Sequence, residues 1–340
     1  MKFSRRTLTA VLVAAIIVFA AEARAEKRLA VGVLPIADAL LLHVAEREGY
    51  FAEQGLAVEL IPFHSALEKD AAAQAGRLNG HFCEISSVIV QRAAGLPFVA
   101  VAGTSHTNGD SRMFGLVTSP ASASLTLAEL RGKSVAVARQ TIVDFLTDVF
   151  LAEATLPEDY LIRRDIRKIP VRIQMLLAGQ VDAALLPEPL LSIAEEGGGR
   201  VLLDDRNLDM PLAVIALTDE TADPATVRAF RAALTKAAEA INLAPEKYRP
   251  LMLELRLIPP QLAGTFKMPY LDTAKIPDTL PSPALFQAYV DWLIKNGVLA
   301  EAGTEARPGA LIPPRYEDVV WSGETAAAPG LENDRMGRRP

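Results

Sequence analysis

The residue types that most often do chemistry are scattered along this 340-residue chain. It has four histidines and a single cysteine, Cys83, with no His-x-x-x-His or Cys-x-x-Cys spacing of the kind that holds a metal. It also lacks a Gly-x-Ser-x-Gly nucleophile turn and a phosphate-binding glycine loop. We therefore predict no catalytic residue, no metal site and no cofactor. The alternative is an enzyme in which Cys83 is a nucleophile beside His81 or Glu84.

One acidic side chain directly follows a segment that reads as a buried strand. Residues 181–186 are mostly apolar, which favours a strand covered on both faces of a sheet. Pro187 and Pro189 end that strand because neither donates a backbone hydrogen bond. Glu188 is thereby held just beyond the carboxyl end of a strand, where open α/β sheets bind their ligands. Alternatively, Glu188 only caps a helix or pairs with an arginine.

Polar residues recur at the ends of the other predicted strands. Such positions offer free backbone N–H groups and helix N-termini to an anionic or polar ligand. His64 and Arg139 would add charge-assisted hydrogen bonds. Together these positions indicate a cleft that binds a small molecule without changing it. The predicted ligand-binding residues are Pro35, Ile36, Asp38, His64, Ser65, Ser86, Thr104, Arg139, Gln140, Thr141 and Glu188.

The elements that must position these residues alternate between strand and helix from Leu29 onward. This rhythm predicts an α/β protein with mostly parallel sheets flanked by helices. Residues 114–118 and 212–217 read as extended segments, of which the second would lead back to the first lobe. Residues 75–80 and 178–183 are similar helix-to-strand junctions, which indicates two related lobes facing each other.

The first 25 residues have the features of an export signal. Lys2, Arg5 and Arg6 precede an apolar core, and residues 23–25 form a small-x-small cleavage site. We predict cleavage after Ala25 and export to the periplasm, by the general secretory route or, because of the paired arginines, by the twin-arginine route.

Charge and hydropathy narrow the possible partners. Cleavage would remove four basic residues and one acidic residue from a chain of net charge −6, so the mature protein would be more acidic still. Such a charge disfavours binding to nucleic acid or to anionic membranes. The chain has no second long apolar run, so we predict that the mature form is not embedded in a membrane.

Four segments, in order along the chain, resemble periplasmic solute-binding proteins of the nitrate/sulfonate/taurine type. They are residues 48–56 (Glu-Gly-Tyr-Phe-Ala-Glu-Gln-Gly-Leu), 76–80, 130–137 and 182–189. The resemblance extends over about residues 29–299. The superfamily of these proteins also includes proteins similar to the yeast enzyme that makes the thiamine pyrimidine.

This resemblance implies a two-lobed periplasmic binding protein fold of type II, in which two hinge crossings join the lobes. The implied lobes are lobe 1 (residues 26–115 plus 214–321) and lobe 2 (116–213). They follow the signal peptide (1–25) and precede a tail (322–340) whose Ala, Gly, Pro and charged residues predict disorder. The implied protein is a monomer that captures a small ligand between the lobes and delivers it to the permease and ATPase of an ABC importer.

The resemblance leaves the ligand open among a sulfonate, a nitrate-like anion and a heteroaromatic such as a thiamine pyrimidine precursor. Glu188 would repel an anion unless Arg139 or another base neutralises it. An exported enzyme like the thiamine-pyrimidine synthases, or a ligand-sensing module with the same cleft, are the alternatives. The cysteine-rich iron motif of that enzyme type is missing, because Cys83 is the only cysteine.

Overall fold

The computed structural model describes residues 27–301 and 310–323. The predicted signal peptide and the predicted tail beyond Gly323 lie outside the described residues. The strands, in chain order, are β1 Lys27–Val33, β2 Leu56–Pro62, β3 Gly80–Cys83, β4 Phe98–His106, β5 Phe114–Thr118, β6 Ser134–Val137, β7 Ile162–Asp165, β8 Ala183–Pro187, β9 Val201–Asp204 and β10 Pro211–Thr218.

Helices lie between most of these strands, and the chain from Pro224 onward is mainly helical. The α-helices are α1 Leu40–Arg47, α2 Tyr50–Glu53, α3 Ala66–Gln74, α4 Ile85–Ala93, α5 Ile142–Glu153, α6 Ile169–Leu177, α7 Leu190–Glu196, α8 Pro224–Leu243, α9 Arg249–Glu254, α10 Pro283–Lys295 and α11 Tyr316–Val319.

The strands form two five-stranded sheets with the same topology. The first has the order β2-β1-β3-β10-β4 and the second the order β7-β6-β8-β5-β9. In each sheet one strand is antiparallel to both of its neighbours, β10 in the first and β5 in the second. Each of these two strands is the first that the chain forms after crossing from the other sheet. The predicted two-lobed α/β fold with mixed, mostly parallel sheets is therefore confirmed.

The two similar helix-to-strand junctions have the same hydrogen bonds. Asn79 pairs with β1, because its N–H donates to the carbonyl of Ala30 and its Oδ1 accepts from the Ala30 N–H, both at 2.9 Å. Asp182 pairs with β6 through the Ser134 carbonyl and N–H, at 3.0 and 2.9 Å. The sequence similarity of these segments thus corresponds to a structural repeat.

Helix α10 connects the two lobes at one end of the cleft between them. It packs on α4 of the first lobe, and its aromatic side chains reach α5 of the second. Tyr289 stacks on Phe145 with 4.0 Å between ring centroids, and the Trp292 indole N–H donates to Asp148 at 2.8 Å. The helix thereby holds the lobes together beside the carboxyl ends of the strands.

The sequence patterns predict neither strand β7 nor the full length of β4. The side chains of β7 are mostly exposed and two of its four residues are arginines, as expected for the edge of a sheet, so no apolar run marks the strand. The apolar residues 98–102 predict a strand that ends at Ala102, but β4 continues to His106. Its last residues are small and polar, a composition that is typical of a loop, yet all of them are buried.

Candidate functional site

A cavity of about 170 Å³ lies between the two lobes, and we call it the interlobe cavity. The carboxyl ends of β1, β3, β6 and β8, or the segments that follow them, contribute to its wall, in agreement with the rule for open α/β sheets. It is smaller than the ~300–1,000 Å³ of typical ligand pockets. Its lining residues are Leu34, Ile36, Asp38, Ser65, Ala66, Leu67, Asp70, Phe82, Glu84, Ser87, Phe114, Ala138, Arg139, Gln140, Thr141, Ile142, Val143, Arg167, Ile169, Arg172, Pro187, Leu212 and Ala213.

Several of the predicted binding residues meet at this cavity. Those that line it are Ile36, Asp38, Ser65, Arg139, Gln140 and Thr141. Segments that are far apart in sequence are brought together because the two sheets face each other with their carboxyl ends. Two of the polar groups already have a local role, because Ser65 Oγ accepts from the Glu68 N–H and Thr141 Oγ1 from the Val143 N–H, as helix N-caps.

The other predicted residues do not line the interlobe cavity. His64 is exposed and its backbone N–H donates to Glu68. Pro35 is half-buried beside the wall, and Ser86 is buried one residue before the lining residue Ser87. Thr104 is buried within β4, since that strand extends beyond its predicted end.

Glu188 lies behind the cavity wall and faces a second cavity, which Arg112 also lines. Its carboxylate accepts from Arg112 Nε at 2.8 Å and from the Ser192 N–H at 3.1 Å. Arg112 also pairs with Glu195. The charge of Glu188 is therefore neutralised by Arg112, which the sequence did not single out. Glu188 thus caps a helix and pairs with an arginine, as its alternative interpretation proposed. Its carbonyl oxygen meets the other lobe, because it accepts from the Ala37 N–H at 3.2 Å.

Asp38 is the most deeply buried of the predicted polar residues in the cavity wall. Its side chain is in the short helical turn after β1, and 4% of the residue is exposed. Ser105 Oγ donates to its Oδ2 at 2.8 Å, while its Oδ1 has no partner among the described residues. Burial raises the pKa of Asp38 from 3.8 to about 7, and the nearby Asp205 and Glu188 act in the same direction.

Glu84 follows β3 and reaches from the first lobe to the second. Its Oε1 accepts from the Ile142 N–H at 3.3 Å, which places a carboxylate at the N-terminus of α5. Burial raises the pKa of Glu84, while the cation of Lys69 acts against that shift. A helix N-terminus is a common anion-binding position in proteins, and here a side chain of the protein occupies it.

Three arginines of the second lobe line the opposite wall. Arg139 pairs with Asp144 at 3.3 Å, and Arg167 with Asp165 at 3.0 Å. Arg172 is 1% exposed; its Nη1 donates to the Ile166 carbonyl, and its Nε has no partner among the described residues. Burial lowers the pKa of Arg172 to about 10, which leaves it charged at neutral pH.

A buried polar network lies behind the acidic wall. Lys69 and His81 are both fully buried, with 2.8 Å between Lys69 Nζ and His81 Nδ1. Lys69 also pairs with Asp70 at 2.6 Å, and His81 Nε2 lies 3.0 Å from Gln91 Oε1. Burial lowers the pKa of His81 well below its usual range, and the Lys69 charge adds to that shift. The imidazole is thus neutral and accepts from Lys69. Lys69 and His81 therefore support the wall from behind, through Asp70, which lines the cavity.

The structure adds Glu84, Asp70, Arg167 and Arg172 to the charged residues of the wall. Arg172 had a signal in the sequence, because it lies four residues before Leu176 and so shares the buried face of α6. A charged residue on an apolar helix face is rarely buried without a partner. The apolar part of the wall had no such signal, since its residues read as ordinary core.

Residues 27–301 and 310–323 contain neither a metal-binding cluster nor a membrane-spanning helix. No group of three or more His, Cys, Asp or Glu side chains in these ranges is arranged to hold a metal ion. Within the same ranges, no helix is both long and apolar enough to cross a bilayer.

Comparisons with known proteins agree with this architecture. The sequence profile of the family described as "NMT1/THI5 like" matches residues 37–248, more than half of the chain. No curated protein matches the chain. Many solved structures do.

Three of these solved structures illustrate the similarity. The alkanesulfonate-binding protein SsuA from Xanthomonas axonopodis pv. citri, bound to MOPS, has a TM-score of 0.67 and 17% identity, over 81% of this chain and 94% of that chain. The periplasmic aliphatic sulphonate binding protein SsuA from Escherichia coli has a TM-score of 0.65 and 18% identity, over 81% and 94%. The periplasmic nitrate-binding protein NrtA from Synechocystis PCC 6803 has a TM-score of 0.59 and 16% identity, over 82% and 83%. At these identities the similarity establishes the fold.

Proposed function

Because the chain belongs to the NMT1/THI5 like family, we propose that it is the solute-binding component of an ABC importer. The observation that carries this proposal is the interlobe cavity, which is lined from both lobes and bridged by hydrogen bonds between them. A molecule held there contacts both lobes at once, so its binding favours the closed form. Binding proteins named for sulfonates and nitrate share the fold.

The state of Cys83 supports binding without covalent chemistry. The thiol is fully buried, and burial raises its pKa well above the usual range, so a thiolate does not form at neutral pH. His81 beside it is held neutral in the buried network and faces Lys69 and Gln91. These observations disfavour an enzyme that depends on Cys83, and they support a carrier that releases its ligand unchanged.

Location and partners form the rest of the proposal. The features of residues 1–25 support export to the periplasm by the general secretory or the twin-arginine route. There the mature protein, as a monomer of two lobes, would bind its ligand and dock on the permease, whose transport the ATPase powers. Sulfonates, nitrate-like anions and heteroaromatic compounds are the ligand classes that the family resemblance offers.

Native mass spectrometry of protein purified without denaturation tests the proposal. We expect a small molecule to remain bound, and we expect thermal unfolding to shift upward when that molecule is added back to stripped protein. A hundredfold excess of ligand over its dissociation constant stabilises the native state by about 2.7 kcal/mol. Absence of any bound or stabilising small molecule, with turnover of a substrate instead, would overturn the proposal.

A matched pair of variants locates the binding site. Ala66 is the first residue of α3 and lines the interlobe cavity, whereas Ala225 is an exposed residue in the first turn of α8. Ala66→Trp should fill the cavity and abolish binding, while Ala225→Trp should bind normally. Equal binding by both variants would place the ligand elsewhere.

A further inference from the structure

Two buried ionisable groups, one acidic and one basic, line the interlobe cavity without an ion-pair partner among the described residues. On the first lobe, Asp38 has one oxygen bonded to Ser105 and the other unpartnered among the described residues. On the second lobe, Arg172 donates only to a backbone carbonyl and has an unpartnered Nε in that same set. Both residues are more than nine-tenths buried. A buried charge costs free energy unless a partner compensates it, so each of these groups is built to meet one.

The other charged groups of the wall have partners already. Arg139 and Arg167 pair with aspartates of their own lobe. Asp70 pairs with Lys69. Their charges are therefore largely neutralised before a ligand arrives, and the two unpartnered groups dominate its recognition.

Glu84 makes the first-lobe side unfavourable for an anion. Its carboxylate accepts from the Ile142 N–H at the start of α5, where an anionic ligand would otherwise bind. Together with Asp38 it gives the first-lobe wall two buried acids, while the second-lobe wall contributes only arginines to the charged lining. The two walls thus have opposite polarity.

Resting on the proposed function, we propose that the cavity selects a bipolar ligand, with a protonated amine or similar N–H donor on Asp38 and an anionic group on Arg172. A simple anion compensates the charge of Arg172, but the carboxylates of Asp38 and Glu84 repel it. A simple cation compensates Asp38 and leaves Arg172 unpaired. Only a molecule with both groups satisfies both walls in the closed form, and Glu84 excludes the simple anion from the helix N-terminus.

Calorimetry on stripped full-length mature protein tests this selectivity with compounds that differ by one end. The aliphatic set is 3-aminopropanesulfonate, propanesulfonate and propylamine, and the aromatic set is 4-(aminomethyl)benzoate, 4-methylbenzoate and benzylamine. In at least one set we expect the bipolar compound to bind at least tenfold more tightly than either single-ended compound. Equal or tighter binding of a single-ended anion or cation overturns this inference and leaves the proposed function standing.

The molecule that co-purifies with the protein gives an independent reading. A co-purified compound with both an N–H donor and an anionic group supports the inference even if both probe sets bind weakly. A co-purified compound with only one of these groups overturns it. Absence of any bound small molecule, with no shift from any probe, overturns the proposed function and this inference together.

Variants assign the two ends of the ligand. Asp38→Asn should weaken the bipolar compound at least tenfold and change the binding of the single-ended anion less than twofold, or tighten it. Arg172→Gln should weaken the bipolar compound and the single-ended anion alike. Asp159→Asn and Arg164→Gln, at exposed positions of the second lobe, are the matched controls and should bind as the parent does. Folding of each variant is checked by its thermal transition, and a folded Asp38→Asn variant with unchanged selectivity would contradict the assignment.

Discussion

At the scale of single residues, burial decides what each charged group can do. Asp38 and Glu188 were both predicted as site residues from their position after a strand, yet only Asp38 lines the interlobe cavity. Glu188 turns to Arg112, which no sequence pattern placed near it, because the two are 76 residues apart. The sequence therefore shows where polar residues follow strands, while the direction of each side chain depends on partners from distant segments.

The buried carboxyl of Asp38 should make stability depend on pH. Its pKa is raised from 3.8 to about 7, so between these values the folded state binds a proton that the unfolded state releases. The contribution of Asp38 to stability should therefore fall as pH rises from about 4 to about 7 and stay level above that range. Asp205, with its pKa raised to about 6 by burial, acts in the same direction. Each unit of pKa difference corresponds to about 1.4 kcal/mol.

Urea unfolding at pH 4.5 and pH 7.5 measures this dependence. We expect the free energy of unfolding of Asp38→Asn to rise relative to that of the parent, by about 1 kcal/mol or more, between pH 4.5 and pH 7.5. The exposed control Asp159→Asn should follow the parent. The same pH dependence in Asp38→Asn and in the parent would show that the Asp38 carboxyl does not titrate in this range.

At the scale of elements, the sequence predicts most helices and strands because apolar periodicity marks their buried faces. Strand β8 and helix α5 are examples, because most of their buried residues are apolar. The failures have a common cause, which is polar composition in an ordered segment. β7 contains two arginines at a sheet edge, and β4 ends in polar residues that are nevertheless buried, with Ser105 donating to Asp38.

The repeated helix-to-strand junction is a case in which sequence and structure agree in detail. In the first lobe a neutral amide, Asn79, accepts from the backbone of β1. In the second lobe a carboxylate, Asp182, accepts from the N–H and the hydroxyl of Ser134 at 2.9 and 2.8 Å. The shared requirement is an acceptor at this position, because in both lobes it accepts from the N–H of a strand residue.

Substitutions at Asp182 test this requirement. Asp182→Ala should lower the free energy of unfolding by about 1–3 kcal/mol, because it removes a charged acceptor and leaves the Ser134 N–H unpaired. Asp182→Asn keeps an acceptor, as the first lobe does, and should cost less than half as much in urea unfolding. Asn79→Asp is the reciprocal control and should be tolerated. Equal losses for Asp182→Ala and Asp182→Asn would show that charge, and not the acceptor, is what the junction needs.

At the scale of the whole molecule, the two lobes meet through contacts that the shared topology makes equivalent. β3 and β8 occupy the same place in their sheets, as do β1 and β6. The residue after β3, Glu84, accepts from the helix that follows β6, and the residue after β8, Glu188, accepts from the turn that follows β1. One contact uses a side chain and the other a backbone carbonyl. The sequence could not show this pairing, because it arises only when the two sheets face each other.

The two tryptophans of the chain report on the two sides of this interface and allow a test of lobe closure. Trp292 is 6% exposed in α10, where it donates to Asp148 and packs edge-on against Phe145 of the second lobe. Trp321 lies instead against the first lobe, where its indole N–H donates to the Ala222 carbonyl and its ring packs on the Arg231 side chain. If loss of ligand opens the lobes, only the surroundings of Trp292 change.

We therefore expect stripping the co-purified ligand to shift the fluorescence of Trp321→Phe protein to longer wavelength and to increase its quenching by acrylamide. The fluorescence of Trp292→Phe protein should change little. A shift confined to Trp292→Phe protein, or absent from both, would contradict opening at the α10 contact.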